Sequence, residues 1–138
     1  SKIDKEKVRK SALTREQRQQ EMIRSYGWKI GESIMRENPE DFLDWTEQER
    51  RIDAVIGGFN TIKEEMKFLP SINELLDAMK ELGAPVNASE IEVDRELLAV
   101  TLKCSKDYRS RYNVAKTLNE LGMLEQCIEA VLEKEPIK

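Results

Sequence analysis

At three boundaries in this chain a hydroxyl residue stands three positions before Glu or Gln and ahead of an apolar run: Thr14 with Gln17, Thr46 with Glu49, and Ser71 with Glu74. In such a pair the hydroxyl accepts from a free N–H of a helix start, and the second side chain reaches back to the capping N–H. Each pair opens a run of apolar residues at three- and four-residue steps, the spacing of one helix face. Behind Thr14 come Met22, Ile23, Tyr26, Ile30 and Ile34, which predict one helix to about Arg36. Behind Thr46 come Ile52, Val55, Ile56, Phe59, Ile62 and Met66. Behind Ser71 come Ile72, Leu75, Leu76, Met79 and Leu82, and Gly83 supplies the left-handed stop.

The remaining segments carry similar punctuation. Asn38-Pro39 reads as an N-cap and first helical residue, with Phe42, Leu43 and Trp45 as apolar content. Asn87 with Glu90 predicts a short turn, and Asp94 caps a helix that points Leu97, Leu98, Thr101 and Leu102 inward. Ser110 to Leu121 reads as a helix with Tyr112, Val114, Ala115 and Leu118 apolar, stopped by Gly122. Leu124 to Leu132 closes the chain, with Cys127, Ile128 and Val131 inward. Residues 1–13 are charged, with scattered Ile3, Val8 and Leu13, and read as a weak helix or an arm. Gly27 and Gly31, one turn apart, predict close packing on a neighbouring helix. Gly57-Gly58 should weaken its helix by about 1 kcal/mol per Gly. No β-branched run alternates between turn signals. The fold class is therefore all-α: a compact bundle of six to eight helices, one domain over residues 1–138.

Composition narrows the function. A length of 138 residues suits a single core. The net charge of −4, from 23 basic and 27 acidic residues, argues against nucleic acid as a partner. No apolar run reaches the roughly 18 residues of a membrane span. The absence of histidine removes imidazole acid–base chemistry and His-ligated metals. Two cysteines, Cys104 and Cys127, are too few for a thiolate metal site or a disulfide framework and read as core filling in a reducing compartment, the cytoplasm. The opening residues have no apolar signal segment, and Ser1 in place of Met reads as processing or as a piece of something longer.

The densest polar-aromatic cluster is Asp107-Tyr108-Arg109-Ser110-Arg111-Tyr112. It reads either as a helix–helix junction held by Arg–carboxylate pairs or as a contact for an anion or partner through Arg109 and Arg111. Lys103 and Lys106 are expected to point outward. The cations of the opening segment, Lys2 to Arg18, are expected to be solvated or interfacial. Asp41 and Asp44 share a helix face, but bridging carboxylate sites want His partners. No phosphate-cradling glycine motif is present.

Several strings resemble a known family. Leu69-Pro70-Ser71-Ile72-Asn73-Glu74-Leu75-Leu76, then Leu82-Gly83-Ala84-Pro85-Val86, resemble the "LP…eL…L…GaP" segment of glycerol-1-phosphate dehydrogenases. Ala88 to Asp94 resembles their "PEEIGI(D/S)" link. Ser105 to Val114 is similar to "A…iR.RYTvL", and Leu118 to Glu125 to "L..ELGlLEe". The order and spacing over residues 69–125 carry the resemblance, and residues 45–68 fit the preceding long helix. The family belongs to the iron-containing alcohol dehydrogenase, glycerol dehydrogenase and dehydroquinate synthase superfamily.

The resemblance implies the helical, C-terminal half of a dehydroquinate synthase-like fold, taken from a longer two-domain enzyme. It implies a missing N-terminal Rossmann-like domain that binds NAD(P), and a divalent metal (Zn, Ni or Fe) held by one Asp and two His. The whole enzyme would move hydride between NAD(P)H and dihydroxyacetone phosphate in phospholipid metabolism. None of the matched positions is a family metal ligand or phosphate-binding glycine, so no catalytic, cofactor-binding or metal residue carries over. This chain would supply packing and a cleft wall, without activity alone. The competing readings are a free-standing helical adaptor, and a binding module for an acidic ligand at Arg109 and Arg111. The last helices suit a homo-oligomer contact as well as a core.

Overall fold

The computed structural model describes residues 3–39 and 44–134. Eight α-helices follow one another among them: α1 (Lys5–Ser11), α2 (Arg15–Tyr26), α3 (Trp28–Glu37), α4 (Trp45–Glu65), α5 (Ile72–Glu81), α6 (Arg95–Cys104), α7 (Val114–Glu120) and α8 (Leu124–Lys134). Short 3₁₀ turns occupy Met66–Phe68, Ala88–Ile91 and Ser105–Asp107. No strand occurs among the described residues. The all-α bundle of six to eight helices is thus the fold found.

Local capping explains most boundaries. The Thr14–Gln17 and Ser71–Glu74 boxes open α2 and α5, and the Asn87–Glu90 box opens a 3₁₀ turn. Asp94 Oδ1 accepts from the Leu97 N–H at 2.8 Å and starts α6. Gly83 and Gly122 take φ of 66° and 67°, the left-handed conformation that stops a helix cheaply only at glycine.

Three boundaries differ from the sequence expectation. The helix behind Thr14 is two helices, because Gly27 takes φ 77° and turns α3 back onto α2. Gly31 then packs so closely that a Cβ there would sit 3.0 Å from Ile23 N and Met22 C. The close-packing expectation therefore holds for Gly31, whereas Gly27 makes the turn. α4 begins with Asp44 rather than Thr46 as its cap, since Asp44 Oδ1 accepts from the Glu47 N–H at 3.0 Å. Asn38 closes α3, Pro39 beyond it has 3₁₀ geometry, and most of the helix expected behind Asn38-Pro39 lies outside the described residues. Phe42, Leu43 and Asp41 lie outside the described residues. Finally, residues 108–112 are not helical, because Asn113 is the cap of α7 and accepts from the Lys116 N–H at 3.0 Å.

Two small apolar clusters share α6. Met22, Ile34 and Cys104 form one, with Tyr26 and Met35 against them. Leu124, Ile128 and Leu132 of α8 form the other, against Leu98, Leu102, Ala115 and Leu118. Cys127 is half-buried, and Tyr112, Val114, Leu97 and Val131 are exposed rather than inward. In α1, Val8 is buried over Gly122, and Lys5 pairs with Glu49 at 3.2 Å and Asp53 at 2.7 Å of α4. Residues 5–11 are therefore a docked helix. α4 runs straight through Gly57-Gly58, where added Cβ atoms would meet open space.

The chain exposes 10611 Å² of surface. A compact monomer of 16.0 kDa would expose about 7,400 Å². Apolar residues stand uncovered along α5 and towards the end of α4. None of the α5 residues is buried: Ile72 is 76% exposed and Leu82 83%, with Leu75 and Met79 on the same stripe. Ile56, Phe59 and Ile62 of α4, and Met66, Phe68 and Leu69 beyond it, are exposed as well.

Candidate functional site

The most buried polar grouping lies where α2 meets the link between α6 and α7. Arg18 of α2 donates to Asp107 Oδ2 and, through its other terminal nitrogen, to Glu21 Oε2. The Lys106 Nζ donates to the same Asp107 oxygen at 2.8 Å and to the Lys103 carbonyl at 2.9 Å. Lys103 bridges Glu21 and Glu125, each at 2.9 Å. Asn38 donates to the Ile34 and Asp107 carbonyls at 2.8 and 2.9 Å and accepts from Lys116 Nζ at 2.7 Å. Arg18, Asn38, Lys106, Asp107 and Lys116 are all buried.

The electrostatics follow from burial and pairing. Burial, reinforced by Arg18, lowers the Lys106 ammonium below the ordinary lysine value against the pull of Asp107. Burial alone would raise Glu21, but Lys103 and Arg18 outweigh it and hold the carboxyl low. Burial, with Cys104 and Asp107 nearby, pushes the Tyr26 phenol up to about 12. Asp107 Oδ1 is buried without a hydrogen-bond partner. Arg18 and Lys106 both donate to its other oxygen. An adjoining groove of about 1010 Å³ runs past Arg18, Lys106 and Asp107 to Trp45 and the α1–α2 link.

Arg109 and Arg111 lie just beyond this cluster, on the surface. The Arg109 guanidinium stacks over the Tyr108 ring, 5.6 Å from its centroid. The Arg111 carbonyl accepts from Asn113 at 3.4 Å. The junction is held instead by Asp107, Asn113 and partners from α2 and α3, so the Arg–carboxylate pairing expected of Arg109 and Arg111 falls to Arg18. The outward expectation for Lys106 is overturned, and of the two readings of Arg18, solvated or interfacial, the solvated one fails because it is buried against Asp107. Lys106 sits in a 3₁₀ turn that directs it inward to Asp107. Arg18 stands four residues before the buried Met22 on one helix face, a signal that was present in the sequence.

Chemically the cluster is an ion-pair junction that fixes α2 against the α6–α7 link. No group of three or more His, Cys, Asp or Glu side chains stands together among the described residues. With no histidine in the chain either, its residues do not fit the metal centre that the resemblance implies. No described helix is long and apolar enough to cross a membrane.

Among curated proteins, the chain is similar to a glycerol-1-phosphate dehydrogenase [NAD(P)+] of Bacillus licheniformis, with 30% identity over 63 residues. Those residues are 46% of this chain and 16% of that protein. The match thus spans less than a fifth of the length of its curated relative. No family model matches the chain, and no solved structure matches it significantly.

Proposed function

We propose that this chain is the helical part of a longer, metal-dependent glycerol-1-phosphate dehydrogenase-like protein of the cytoplasm. It packs on a Rossmann-like half, walls the cleft between the two, and is inactive alone. The observation that carries this reading is the 30% identity to the B. licheniformis enzyme. The uncovered apolar surface supports it, since a part separated from its other half bares the surface between them. NAD(P) and a divalent metal belong to the other half, since this chain has no histidine and no group of three or more Cys, Asp or Glu side chains stands together among its described residues. What its own residues do is structural: the Arg18–Asp107–Lys106 cluster and the α6–α8 packing set the position of the helices relative to that half.

The test is an oxidation assay of NADH and NADPH with dihydroxyacetone phosphate, run on the parent protein and on the 138-residue chain. Metal-dependent turnover by the parent and none by the chain is expected. A parent protein that binds metal and nucleotide without reducing this ketone contradicts the substrate. A parent without a nucleotide-binding half contradicts the whole reading and leaves the adaptor.

A further inference from the structure

We propose that α1 is a strap that detaches from the body and unwinds as one unit, opening the groove beside the Arg18–Asp107–Lys106 cluster, and that ionic contacts of Lys5 set how often it does so. This goes beyond the dehydrogenase reading and does not depend on it.

α1 can leave without disturbing α2, because each helix carries its own start. Asp4 caps α1 by accepting from the Lys7 N–H at 3.1 Å. α2 begins with its own box: Thr14 accepts from the Gln17 N–H at 3.2 Å, and Gln17 accepts from the Thr14 N–H at 2.9 Å. The link between them is extended, with ψ of 130° at Ala12 and 165° at Thr14. Motion about this link breaks no cap and no helical hydrogen bond of α2.

Three side chains tie α1 to the body. Val8 is buried over Gly122, its Cγ2 3.0 Å from where a Cβ on that glycine would stand. Lys5 reaches Glu49 at 3.2 Å and Asp53 at 2.7 Å on α4. The Arg9 guanidinium lies over the Trp45 ring, 5.6 Å from its centroid. A helix of seven residues does not hold itself together in water, so these contacts decide whether α1 is formed and seated. The carboxylates facing Lys5 are 44% and 59% exposed, so salt screens them. α2 is held differently, by Met22 in an apolar cluster and by the buried Arg18–Asp107 pair, which salt screens far less. Segments with few buried apolar contacts open at lower free energy than the whole fold, and α1 buries Val8 alone.

The opening has a consequence for the cluster. Lys7, Ser11 and Leu13 line the groove together with Arg18, Lys106 and Asp107. Detaching α1 removes one wall and admits solvent towards the buried ion pairs.

Native-state hydrogen exchange of the 138-residue chain reads this directly. Corrected for intrinsic rates, the Val8 to Ser11 amides are expected to exchange at least about a hundredfold faster than the Met22 and Ile23 amides of α2. Raising sodium chloride to roughly 1 M should speed the α1 amides several-fold and leave the α2 amides unchanged. Lys5→Met should speed the α1 amides at low salt and remove most of their salt dependence. Val8→Ala should speed the α1 amides alone. In Trp28→Phe, which leaves Trp45 as the one tryptophan, acrylamide quenching should rise over the same salt range as Arg9 leaves the ring. One common rate for the α1 and α2 amides overturns the strap, since α1 then opens only with the whole chain. Equal acceleration of both helices by Val8→Ala overturns their independence. Exchange of α1 that neither salt nor Lys5→Met moves overturns the ionic hold, and salt-independent quenching of Trp45 overturns the opening of the groove.

Discussion

Arg18 and Asp107 stand 89 residues apart in sequence and share a buried hydrogen-bonded ion pair that joins α2 to the α6–α7 link. Neither charge has water to fall back on. Removing Arg18 leaves Asp107 with Lys106 as its cation and takes one partner from Glu21, and loss of a partner costs about 3–5 kcal/mol in buried pairs. Arg18→Met is therefore expected to lower the urea midpoint strongly with the m value unchanged. The double variant Arg18→Met, Asp107→Leu should recover none of the loss, since it also takes from the buried Lys106 ammonium the carboxylate it pairs with. A single variant as stable as wild type contradicts the pairing.

Gly31 and Gly57 should respond oppositely to alanine. A Cβ at Gly31 would press on the Met22–Ile23 backbone at 3.0 Å, and Gly31→Ala is expected to cost about 1–3 kcal/mol. Gly57 meets open space inside α4, so Gly57→Ala should stabilise by about 0.5–1 kcal/mol. Thermal melts of the two variants decide it, and equal shifts of the same sign would contradict the α2–α3 contact.

Acid should unfold the chain partly through Glu21 and Glu47. Glu21 is held below its ordinary 4.5 because Lys103 and Arg18 outweigh burial. Glu47 is lowered to about 2 by its hydrogen bonds from Arg50 and Arg51. A carboxyl whose folded value is depressed adds stability above its unfolded value, and that contribution fades as pH falls through the folded one. Stability is thus expected to decline from pH 4.5 downward. Glu21→Gln should flatten that limb in urea titrations at stepped pH; an unchanged slope would contradict the assignment.

Arg109 and Arg111 are surface residues, so Arg109→Ala with Arg111→Ala should move stability by less than about 0.5 kcal/mol. Any binding of inorganic phosphate that they support would be lost at the same time. Calorimetry with phosphate and a urea melt on the same sample separate the two effects. A large destabilisation would mean that the junction depends on them after all.

Local signals carried much of the fold. Thr14, Ser71, Asn87 and Asp94 marked their helix starts because a cap needs only a side chain and the N–H groups a turn away. Gly27 misled because the apolar spacing of the α2–α3 segment continues unbroken through the turn, and only φ at that glycine breaks it. Long-range burial was harder to see. Lys106 is inward because Asp107 and a helix 89 residues earlier surround it, and no window around Lys106 contains Arg18. The α5 stripe was legible as one helix face. What the sequence pattern could not show is that nothing within the described residues buries it, since amphipathic spacing is the same whether the cover lies within the chain or outside it.

The central claim, that this chain works as part of a longer dehydrogenase-like protein, is tested most directly by the intact mass of the native protein in the cells that make it. An antibody raised to the 138-residue chain, with denaturing electrophoresis and mass spectrometry of the captured band, reads it out. A species more than twice 16.0 kDa, with a nucleotide-binding half before α1, is the predicted result. A single species of 16.0 kDa would contradict it.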